Sequence, residues 1–132
     1  MNYATKEAGP ELNAAVAERI MGWPRRAFDD PLWGHRPYVA ELSDGSVHVY
    51  PLAGNYWSPS TDPAADRDVL CYVRDNWDEI QCMRFVECLQ QLLRSRDPVH
   101  CMAAEQYGLE EWLELGQAGD YSRAALMALE TT

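Results

Sequence analysis

Leu12, Val16, Ile20 and Met21 recur at helical spacing behind Pro10, whose missing donor costs nothing in a first helical turn. Gly22 then ends the helix. Trp23-Pro24 continues as an extended dipeptide, because the residue before proline is pushed out of the helical region. From Trp23 to Pro37 no period survives, and the prolines at 24, 31 and 37 with Gly34 predict a long irregular connection, with Trp33 tucked inward.

The period then shortens to two. Tyr38 to Leu42 and Val47 to Tyr50 flank Ser43-Asp44-Gly45-Ser46, and the Asp-Gly step supplies the positive backbone angles of a tight hairpin turn. Pro51 and Gly54 break the second strand. Ser60, Thr61 or Asp62 is placed to cap a helix that starts with Pro63. Val69, Leu70, Val73 and Trp77 form its apolar face, leaving Asp66, Arg67, Asp68, Arg74 and Asp75 turned largely to water.

Ile80, Met83, Val86, Leu89, Leu92 and Leu93 predict a second long helix from Asp78 to Arg96. Phe85-Val86 and Val99-His100-Cys101-Met102 have the composition of strands as well, so sheet structure between residues 78 and 102 stays open. Leu109 to Leu115 reads as a short helix, and Asp120 as the cap of a last one carrying Ala124, Ala125, Leu126 and Leu129.

A chain of 132 residues, 47% hydrophobic, can bury a single core despite a net charge of -10. The expectation is one domain over residues 1–132, α+β, with a small antiparallel sheet packed between helices and residues 1–9 flexible. No apolar run approaches the roughly 18 residues of a membrane helix, and the first residues lack a secretory pattern. A cytoplasmic protein is expected. Cys71, Cys82, Cys88 and Cys101 fit neither paired zinc ligation nor a secreted disulfide framework, so they read as reduced and largely buried.

Three segments carry a resemblance: Leu12 to Trp23, Tyr56 to Asp68, and Asp120 to Leu129, the first two each placing a helix end against an aromatic residue. Together they resemble the small bacteriophage proteins built on an ABA sandwich domain, in which a sheet lies between helices. The resemblance implies an αβα sandwich of phage or prophage origin, at work in the cytosol of a bacterial host. Sheet structure after the second helix belongs to that pattern, and the helical period of residues 78–96 departs from it.

Catalytic chemistry finds little support in the residues. His35, His48 and His100 are scattered, and no G-x-S-x-G, P-loop or H-E-x-x-H pattern occurs. His48 alternates with Val47 and Val49 and points to the opposite sheet face. Cys101 beside His100 does not make a nucleophile and base by adjacency. Asp62, Asp66 and His35 match no metal loop. No cofactor, no metal and no enzymatic activity is expected.

Two features stand out. Tyr56 and Trp57 precede Ser60, Thr61 and Asp62 at a helix N-terminus, where free amides hold a phosphate while a ring stacks on a base. The same residues equally serve as staple and cap, and the acid of Asp62 opposes an anion. From Asp97 through Ser122 there are acids at 97, 105, 110, 111, 114 and 120 and no Lys or Arg. Glu105, Tyr107, Glu110, Glu111, Trp112 and Glu114 thus offer an acidic face with aromatic anchors to a basic partner. Direct nucleic-acid binding is disfavoured, since Arg25-Arg26 is the one close basic pair. The expectation is a non-enzymatic inhibitor of a basic, nucleic-acid-handling host defence complex, with a homodimer possible. The alternative is a protein that sequesters a nucleotide signal at Tyr56 to Asp62.

Overall fold

The structure, a computed structural model, describes residues 3–27, 37–50, 57–96 and 117–130. Its elements in chain order are α1 (Pro10–Arg19), β1 (Arg25–Ala27), β2 (Tyr38–Glu41), β3 (Val47–Tyr50), α2 (Pro63–Asn76), α3 (Glu79–Arg96) and α4 (Asp120–Glu130). The fold is α+β, as the hydrophobic pattern predicts.

The sheet has the order β1-β2-β3. β2 and β3 form the expected hairpin, antiparallel, with Tyr38 opposite Tyr50 and Glu41 opposite Val47. The two tyrosine rings stack across the strands at 5.6 Å, a cross-strand pair that holds the register. In the turn, only Gly45 takes a positive φ, 86°. Asp44 contributes its side chain instead, accepting from both the amide and the hydroxyl of Ser46.

The sheet is mixed, because β1 pairs parallel with β2 inside the stretch that the sequence pattern leaves irregular. The amide of Val39 donates to the carbonyl of Pro24 at 2.8 Å and starts this pairing. Two arginines and an alanine carry no apolar alternation, so backbone pairing makes a strand there without a side-chain period. Trp33 lies outside the described residues.

α1 packs against β3 and β2 on one hand and α4 on the other, and α4 runs along α2 and α3. Among the described residues α1 is thus the principal helical cover of the sheet. Leu12, Val16 and Ala17 of α1, Val39 of β2, Val69 of α2, Leu89 of α3 and Ala124, Ala125 and Leu126 of α4 are completely buried in one cluster. Full burial of each large aliphatic side chain contributes about 1.5–3 kcal/mol, and the alanines of α4 let three neighbouring helices approach it closely. Residues 3–9 also pack: Tyr3 is buried, and its hydroxyl accepts from Arg19 at 2.8 Å.

α3 is one helix throughout, so Phe85-Val86 is helical, with Phe85 buried in the core. Its apolar row is not all inward, however. Ile80 and Met83, expected in the core stripe, are 63% and 58% exposed. Val99 to Met102 and Leu109 to Leu115 lie outside the described residues. No helix is long and apolar enough among the described residues to cross a membrane.

Candidate functional site

The densest polar arrangement is at the N-terminus of α4, and it begins with Asp66. This residue precedes Val69 and Val73 by three and seven positions, so it shares their buried stripe and is 1% exposed, against the sequence expectation of a solvated acid. Its carboxylate accepts from the amide of Tyr121 at 3.1 Å, the amide of Ser122 at 3.0 Å and the Ser122 hydroxyl at 2.5 Å. Burial pushes its acid up to about 6, and the donors from Ser122 and Tyr121 pull in the opposite direction.

Asp120 is not the cap of α4 but its first residue. It is 1% exposed and accepts from Nη1 and Nη2 of Arg96, at 2.8 and 2.7 Å. The same carboxylate accepts from the amide of Gln117 at 2.6 Å. Gly119, at φ 92°, makes the turn into the helix. A Cβ there would meet the Arg123 guanidinium at 2.5 Å and the Ser60 carbonyl at 3.0 Å, so glycine is required by conformation and by space. Two carboxylates therefore serve one helix end, where donors and dipole favour negative charge.

The Trp57 to Asp62 loop is equally committed to the fold. Trp57 is 7% exposed, its ring 4.7 Å from that of Trp23 and its indole nitrogen 3.4 Å from Asp68. Asn13 of α1 accepts from the Ser60 amide and donates to the Ser58 hydroxyl, each at 3.0 Å. The Ser60 hydroxyl in turn accepts from the Gly9 amide at 3.0 Å, and Ser58 pairs with Thr61. Of the three cap candidates Ser60, Thr61 and Asp62, it is Asp62 that caps α2, accepting from Ala64 at 3.1 Å behind Pro63. Tyr56 lies outside the described residues. Trp57, Ser60, Thr61 and Asp62 share one loop, but their side chains bond outward from the set, to Asp68, Gly9, Ser58 and Ala64 respectively.

Glu105, Tyr107, Glu110, Glu111, Trp112 and Glu114 all lie outside the described residues, as do His35, His100 and Cys101. Of the acids in the 97–122 stretch, Asp120 is withdrawn from the surface by Arg96. His48 is half-buried, opposite Ala40, on the sheet face away from Val47 and Val49. Cys88 is buried and its thiol is pushed up by that burial, with Glu87 adding to the effect. Cys71 and Cys82 are half-buried and, like Cys88, free.

The described surface carries several concavities, among them one of about 370 Å³ between residues 6–11 and Gly45, Ser46 and Val47 of the hairpin, and two more. One, of about 520 Å³, lies between the N-terminal segment and the ends of α3 and α4, where Lys6, Arg96 and Arg123 meet Glu7 and Asp120. The other is a groove of about 330 Å³ along α3, lined by Glu79, Cys82, Met83, Val86 and Glu87. Comparison of the chain with protein-family models, curated proteins and solved structures returns no match.

Proposed function

We propose that this chain is a phage- or prophage-encoded binding protein that docks on a basic partner, and that it inhibits a nucleic-acid-handling defence complex of the host. The observation that carries the reading is charge: 21 acidic against 11 basic residues, with five acids between 97 and 114 and no Lys or Arg there. Such an imbalance steers a cationic partner and repels nucleic acid itself, while Tyr107 and Trp112 supply aromatic anchors. The engagement of Trp57 and Ser60 inside the fold, with Asp62 taken up as the cap of α2, favours docking over a nucleotide pocket at that loop.

The test is capture of host proteins by the tagged chain at low and moderate salt, compared with a variant carrying Glu110→Lys and Glu114→Lys. A basic protein captured by the unmodified chain, weakened by salt and lost in the variant, is the expected result. Equal capture by both chains would count against the acidic face.

A further inference from the structure

We propose that the groove on the N-terminal half of α3 is a docking site for a basic amphipathic helix of a protein partner. The inference rests on the docking reading above and gives it an apolar contact. Among the described residues, Ile80 and Met83 are the large hydrophobic side chains that stand exposed, at 63% and 58%. Met83 stands one turn after Ile80 and one turn before Val86, and Cys82, Met83 and Val86 line the groove. Its rim carries Glu79 and Glu87.

The chemistry of the occupant follows from that arrangement. An apolar floor gains only from apolar side chains, while the two glutamates favour cations beside them. The lining from Glu79 to Glu87 extends along about two helical turns, the length over which a partner helix presents anchors at positions i, i+3 or i+4, and i+7. A second copy of this chain fits poorly. A two-fold contact would bring like rims together, Glu79 and Glu87 of each chain included, between molecules of charge -10.

The test uses the full chain and a fluorescein-labelled peptide of leucine and lysine, about four turns long, with leucine on one helical face. A scrambled peptide of the same composition is the control, and binding is read by anisotropy at low and moderate salt. The patterned peptide should bind more tightly than the scramble, and Met83→Asp should weaken it by about tenfold or more. Met83 is exposed, so a thermal melt of that variant should be unchanged. Glu79→Lys with Glu87→Lys should weaken binding most at low salt. Equal binding of the two peptides, or equal affinity of Met83→Asp and the unmodified chain, overturns the groove. If only Glu110→Lys with Glu114→Lys removes binding, the docking reading stands and the groove falls. If Met83→Asp alone removes it, the groove stands without the face between residues 105 and 114. A dimer in sedimentation velocity that Met83→Asp disperses would assign the groove to a second copy and overturn the proposal.

Discussion

Ser122 gives both its amide, at 3.0 Å, and its hydroxyl, at 2.5 Å, to one carboxylate oxygen of Asp66, a residue that precedes it by 56 positions. A helix N-terminus is ordinarily capped by the residue just before it. Here that place is taken by Gly119, which has no side chain to offer, and α2 supplies the acceptor across the core. The contact fixes α4 along its axis against α2, because helix ends carry direction where apolar packing does not.

Replacing Asp66 by alanine leaves two amides and a hydroxyl without this acceptor in a buried place. The expected loss is about 1–3 kcal/mol of unfolding free energy, read by urea denaturation. Asp66→Asn keeps an acceptor oxygen and should lose less. An alanine variant as stable as the parent would remove Asp66 from the account of how α4 is held.

The pH dependence of the same residue has a definite sign. Its folded value, about 6, lies above the 3.8 of the free side chain, so folding favours the protonated acid. That contribution is fully present below about 3.8 and is lost as the pH rises through about 6. Stability of the parent relative to Asp66→Asn should therefore increase on acidification from about pH 7 to about pH 4.5, by on the order of 2 kcal/mol. A difference that stays flat over this range would contradict the burial effect.

Arg96 grips Asp120 with two nitrogens, at 2.8 and 2.7 Å, while its own side chain is 36% exposed. Arg96→Ala strands a buried carboxylate and should cost about 1–3 kcal/mol, the usual penalty being moderated by solvent at the guanidinium. Arg96→Lys restores charge without the paired donors and should recover only part of the loss. Thermal melts of the three chains decide it, and full recovery by lysine would show that charge alone matters.

Trp57 and Trp23 meet at 4.7 Å with their planes tilted by 54°. Trp57→Ala should cost about 3–5 kcal/mol, because it empties a large volume beside Trp23. Near-ultraviolet circular dichroism should lose signal from the pair. A stable variant with an unchanged spectrum would reopen Trp57 for a role outside the core.

What the sequence made legible follows from where its periods are strong. The hairpin and the four described helices each announce themselves by spacing and punctuation, while the α2 cap is narrowed only to Ser60, Thr61 or Asp62. β1 does not, since its pairing is a backbone matter. The α3 stripe misled for a geometric reason: a step of three residues turns about 300°, so the row Ile80, Met83, Val86, Leu89 drifts about 60° at each step. Leu89 is on the core side and Ile80 has swung away from it. Asp66 was readable in principle, being in phase with Val69 and Val73, but nothing local announces a partner at position 122. The proposed acidic face is legible only as composition, because its residues lie outside the described structure.

The bond from Asp66 to α4 also orders events during synthesis. α1, the hairpin, α2 and α3 emerge from the ribosome before the amides of Tyr121 and Ser122 exist outside it. Until those two residues are outside the ribosome, Asp66 lacks the donors that offset its burial. A chain cut before residue 121 keeps Asp66 but loses all three of these donors, so its acid is left to be solvated by water alone.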